Sequence, residues 1–143
     1  MRRVLLAMLA VVALVGACGE SKSFVPTMKS LANRHFAVTS AKGFTLVEGT
    51  FISISFTSGS ISANAGCNSG GGEFEIKDGK LVTDGFVQTE MYCEAPGVME
   101  QEQAVFGMLV ESPTINFVDN VLTLEGQTVK IALAEAVGGS GGE

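Results

Sequence analysis

The 143-residue sequence has no tryptophan, one tyrosine, one histidine and three cysteines. Each scarcity removes a class of chemistry. Glycosidase clefts set paired carboxylates beside a sugar platform, and Tyr92 alone supplies little of one. A cysteine nucleophile needs a base to make thiolate. The one histidine, His35, is remote in sequence from Cys67 and Cys93. A structural zinc takes about four ligands, more than two cysteines and one histidine without paired spacing provide, so no metal and no other cofactor is expected. Basic residues are also few. Nine Lys and Arg stand against fifteen Asp and Glu, a net charge of −6, which argues against nucleic acid and against electrostatic docking on anionic lipid. The apolar run from Val4 to Leu14 is eleven residues, short of the roughly 20 that span a bilayer.

That run has another reading. Met1-Arg2-Arg3 is a short basic head, the run follows, and Val15-Gly16-Ala17-Cys18 ends it. This is the order of a secretory signal peptide, and Val-Gly-Ala-Cys resembles the lipobox of bacterial lipoproteins. The resemblance implies cleavage before Cys18, acylation of its thiol and acylation of the new amine. The alternative is an ordinary secretory signal that leaves Cys18 a thiol. Arg2-Arg3 alone adds little toward twin-arginine export. Each buried CH₂ contributes about 0.8 kcal/mol, so two or three chains would anchor the protein durably. Gly19 is not the Asp that marks inner-membrane retention in many Gram-negative lipoproteins, so an outer membrane is the expected destination if the host has one. Without residues 1–17 the basic count falls from 9 to 7 against 15 acidic residues, a net charge of about −8.

The expected organisation is a signal at 1–17, a polar tether at 18–30, a folded unit at 31–135 and a Gly-rich tail at 136–143, too poor in apolar residues to order. Within the folded unit the dominant period is two. Phe36 and Val38, then Ile52, Ile54 and Phe56, then Ile61, Ala63 and Ala65 alternate with polar or small residues, as half-buried strands do. Phe74 and Ile76 lead into Asp78-Gly79, a type I′ hairpin signal, and Leu81 to Val87 returns. Ile115 and Phe117, then Leu122 and Leu124, flank Asp119-Asn120, with Val129, Ile131 and Leu133 closing the series. One segment departs from this pattern. Val98, Val105, Phe106, Leu109 and Val110 fall at helical spacing between Pro96-Gly97 and Pro113, both natural boundaries. The expected class is α+β: a curved or partly closed antiparallel sheet of about seven to nine short strands, with one amphipathic helix at about 98–111 packed on it. Val105, Phe106 and Leu109 are expected to face the inner side of the sheet, and Glu102 to face water. Met91, Met99 and Met108 suit irregular core gaps, or else a pliable groove for a lipid or peptide.

Gly66-Cys67-Asn68, Thr89-Glu90-Met91-Tyr92-Cys93 and Met99-Glu100-Gln101-Glu102-Gln103, followed by a hairpin ending Val121-Leu122-Thr123-Leu124, together resemble the META/HslJ domain family. Phe36 stands where that family's opening strand usually carries Trp. The resemblance implies a compact domain of antiparallel strands and one helix, and an exported or lipid-anchored setting. Its motif positions here are Gly66, Cys67, Asn68, Thr89, Met91, Cys93, Glu100 and Glu102. It implies no reaction; its associations are with envelope stress and, in eukaryotic relatives, secretion or motility.

With Cys18 lipidated, Cys67 and Cys93 remain in a compartment where disulfides persist, and a bond between them is expected. The loop it closes is worth about 3.5 kcal/mol by chain entropy. Gly70-Gly71-Gly72 lacks the lysine and helix start of a phosphate loop and reads as a flexible connection between strands. Asn68 reads as a turn residue bonding local backbone, with ligand contact as the alternative. Glu73 and Glu75 read as a solvated strand face. The expected function is a non-enzymatic cell-envelope lipoprotein, a binding or envelope-stress module whose partners are the membrane through its lipid and a protein or apolar ligand. The alternative is a small hydrolase using Glu73/Glu75, or Cys93 with His35.

Overall fold

A computed structural model describes residues 22–136. The signal at 1–17, Cys18 and the tail from residue 137 onward lie outside the described residues. Eleven elements follow in order: β1 (Ser23–Phe24), α1 (Met28–Leu31), β2 (Arg34–Lys42), β3 (Ser53–Phe56), β4 (Ser60–Asn64), β5 (Ser69–Lys77), β6 (Lys80–Gln88), α2 (Val98–Val110), β7 (Thr114–Val118), β8 (Val121–Glu125) and β9 (Lys130–Glu135).

Every strand from β2 to β9 pairs antiparallel with its successor, and β9 pairs back onto β2. The sheet is therefore a closed eight-stranded meander barrel, with β1 as an extra strand on the end of β7. Closure removes most of the sheet edge that an open sheet would have to protect, but beyond Lys80 no strand lies on the β7 side of β6 among the described residues. The joint between β6 and β7 is the weak one. Lys80 and Thr114 form its single register pair, flanked by Leu81 N–H donating to the Pro113 carbonyl and Ile115 N–H to that of Gly79.

Period two builds this barrel. Phe36, Ile54, Phe56, Ile61, Ala63, Phe74, Leu81, Ile115, Phe117, Leu122, Leu124, Ile131 and Leu133 are all buried in one core, with aromatic contacts running from Phe74 through Phe56 and Phe36 to Phe117. Asp78 and Gly79 both have positive φ, 51° and 74°, as do Asp119 and Asn120 at 50° and 67°, the backbone of type I′ hairpins.

Helix α2 covers one end of the barrel. Val105, Phe106, Met108 and Leu109 join the barrel core. The same end carries the β2–β3, β4–β5 and β8–β9 loops, which α2 touches through Gln101, Glu102 and Met108. At the other end Leu31 of α1 is fully buried, and the Arg34 guanidinium lies over the Phe36 and Phe117 rings, 5.0 and 4.7 Å from their centroids. Among the described residues no helix is long and apolar enough to cross a membrane.

Two local expectations change. Part of the stretch expected as tether is built into the fold. Ser23 and Phe24 pair with Val118 and Phe117, and Thr27 and Ser30 cap α1 reciprocally, each side chain bonding the other's N–H at 3.1 and 2.9 Å. Gly70–Gly72 is not a connection but the interior of β5. A Cβ on Gly70 would lie 2.8 Å from the Phe86 ring, and one on Gly72 2.6 Å from the Asp84 carbonyl. These glycines let β6 pass close by at a bulge in the β5–β6 ladder.

Candidate functional site

The N-terminal part of α2 carries the main surprise. Gln101 and Glu102 are 1 and 4 % exposed, so Glu102 does not face water as its helix position suggested. Its Oε1 accepts from the backbone N–H of Cys67 at 2.8 Å and from that of Asn68; its Oε2 accepts from Asn68 Nδ2 at 2.7 Å. Gln101 works on the neighbouring loops. Its Oε1 accepts from Val47 N–H at 2.8 Å, and its Nε2 donates to the Ala65 carbonyl at 2.7 Å and Thr50 Oγ1 at 3.1 Å. Gly66, at φ 126°, brings its backbone so close that a Cβ there would sit 2.7 Å from Gln101 Nε2.

Asn68 completes the arrangement. It is 2 % exposed, and all four valences of its amide are filled within the protein. Nδ2 donates to Glu102 Oε2 and, at 2.9 Å, to the Met91 carbonyl. Oδ1 accepts from Thr89 Oγ1 at 2.7 Å and Met91 N–H at 2.8 Å. Its bonds therefore reach across 21 to 34 residues of sequence, not into its own turn. The Cys67–Cys93 disulfide, with Cα atoms 6.5 Å apart, ties the same two loops covalently. Gly66, Cys67, Asn68, Thr89, Met91, Cys93 and Glu102 thus come together as one clamp. Glu100 does not join it and lies exposed on the adjacent helix surface. The acidic run at the helix start signalled a favourable dipole; nothing in its pattern marked Gln101 as a fellow buried member.

Beside the clamp runs a groove of about 880 Å³ between α2 and the end of β6 with the segment after it. Phe86 and Phe106 meet at its floor, ring centroids 5.9 Å apart. Its walls expose Val87, Met91, Tyr92, Met99 and Val110, at 73, 56, 82, 38 and 55 %. Met108 fills the core as expected, whereas Met91 and Met99 line this groove, and Val110 leaves the buried stripe.

The residues of the hydrolase alternative are dispersed. His35 is exposed on β2, its Nδ1 2.8 Å from Ser55 Oγ. Glu73 and Glu75 point outward from β5, three strands away around the barrel. Cys93 is held in the disulfide. Cys67, Cys93 and Glu102 lie close enough together to share an ion geometrically, but the disulfide engages both sulfurs and Glu102 already accepts three hydrogen bonds.

A meander barrel lidded by one helix, with a polar and disulfide clamp at the lid, defines a class of small α+β domain. The META domain model matches residues 29–137, and the chain belongs to that family. Two solved structures share the fold. One, an NMR structure, is 26% identical with a TM-score of 0.66, covering 76% of this chain and 94% of that one. The other, an NMR structure of a protein from Burkholderia xenovorans, is 19% identical with a TM-score of 0.63, covering 78% and 87%. No curated protein matches the chain.

Proposed function

We propose that this protein is a non-catalytic lipoprotein of the cell envelope, in which the META domain serves as a binding or stress-accessory module held at a membrane by lipid on Cys18. The observation that carries the reading is the state of the motif residues. Asn68 and Glu102 spend their hydrogen-bonding capacity on Cys67, Thr89 and Met91, so the motif's polar groups act as architecture. The neighbouring groove offers a mainly apolar wall with a few polar groups, the usual character of a binding site. The Met1–Cys18 pattern supplies the export and anchoring half of the proposal.

Metabolic labelling with radioactive palmitate tests the anchor. Label is expected on the wild type and lost in Cys18→Ser, which either leaves the membrane fraction or stays unprocessed. An unlabelled wild type would sink the lipoprotein reading.

A further inference from the structure

The groove has an unpaired strand edge as one wall. β6 pairs with β5 along nearly its whole length, but with β7 at a single register position, Lys80 opposite Thr114. From Val82 to Gln88 no strand lies on its other side among the described residues. The ladder fixes which groups face outward. Thr89 N–H donates to the Ser69 carbonyl, and Gly71 lies opposite Val87, so Val87 and Thr89 direct their backbone groups to β5. Alternation in an antiparallel ladder then turns the N–H and C=O of Gln88 toward the groove. Barrel closure protects the other strands; here the chain leaves a template for pairing.

The charge beside that edge has one sign. Glu90 and Glu100 line the groove together with the hydrogen-bonded Glu102, and no Lys, Arg or His does. Neither Glu90 nor Glu100 has an ion pair among the described residues. Exposed Val87, Met99 and Val110 add apolar surface. A second copy of the chain would bring acid against acid, and a fatty acid would bring a carboxylate. An extended segment with apolar side chains and positive charge satisfies all three features.

We infer that the groove binds an extended, basic-apolar peptide segment by strand addition to the free edge of β6 at Gln88, with Glu90 and Glu100 facing its cationic side chains. This deepens the binding-module reading and rests on it. Backbone hydrogen bonds would hold such a peptide, and the groove walls would select its side chains.

The test uses the protein as purified from the expressing bacterium, with a nine-residue blocked peptide alternating valine and lysine. NMR should show slowed exchange of the Gln88 amide. N-methylation of alternate peptide bonds, replacement of the lysines by glutamate, or the exposed-site variant Glu100→Lys should each weaken binding by about tenfold or more, the scale of one or two lost hydrogen bonds or charge contacts. Absence of binding at millimolar peptide, equal affinity of the N-methylated or glutamate peptide, or edge protection arising instead from concentration-dependent self-association would overturn strand addition. Binding without protection of Gln88 would overturn it while leaving the module reading intact. Cleavage of the peptide, read by mass spectrometry, would instead overturn the non-catalytic reading.

Discussion

At the scale of single residues, Glu102 and Glu135 show how position decides what a carboxyl group does. Glu102 is buried and accepts three hydrogen bonds; removing it leaves Cys67 N–H, Asn68 N–H and one Asn68 Nδ2 hydrogen without their acceptor. Glu135 is 46 % exposed and forms a two-bond fork with Arg34, both contacts 2.7 Å. The hydrogen bond from Arg34, aided by its charge, holds the Glu135 carboxyl below its ordinary value, and the same bond raises Arg34. A carboxyl depressed in the folded state contributes stability above its unfolded value and loses it as pH falls through the folded one. Glu135→Gln should therefore cost under about 1 kcal/mol at neutral pH, because the pair is solvent-screened. The difference from wild type should vanish in acid below the ordinary carboxylate range. Urea melts across pH check this; a gap that persisted or widened in acid would contradict it.

At the scale of elements, α2 earns its place by what it covers. Phe106 is 3 % exposed, packs with Phe86 and belongs to the barrel core. Phe106→Ala should cost about 3–5 kcal/mol, as for other buried aromatics. A variant with unchanged stability by urea denaturation would mean the helix buries a different face. The elements were legible in the sequence to the extent that one side of each is apolar. Ile54 and Phe56, or Leu122 and Leu124, announce strands because only one face meets the core. The helix announces itself through Val105, Phe106 and Leu109. Gln101 and Glu102 did not, because polar residues near a helix start look solvated; what buries them is the loops at 47–50 and 65–68, whose position no local pattern encodes. β5 hid its glycines for a similar reason: they fit the passage of Phe86, a contact across the ladder. α1 is only four residues long, too short for periodicity, and its cue lay in the Thr27 and Ser30 cap. Closure of the barrel depended on β9 meeting β2, a pairing between the ends of the folded unit.

At the scale of the whole molecule, the barrel is a shell with two covers. The lid at the α2 end is fastened twice, by the Cys67–Cys93 bond and by the Asn68–Glu102 network. Every motif position named in the sequence except Glu100 belongs to this fastening, and the groove lies along its side. The geometry makes Asn68 and Glu102 the residues that hold the lid. A double-mutant cycle by urea denaturation of the purified protein tests it most directly, using Asn68→Ala, Glu102→Ala and the pair, with Glu100→Ala as the exposed comparison. Each clamp variant should lose about 2–4 kcal/mol, with a coupling of about 1–3 kcal/mol between them, while Glu100→Ala stays within about 0.5 kcal/mol. A neutral Glu102→Ala, or strictly additive losses, would contradict the account.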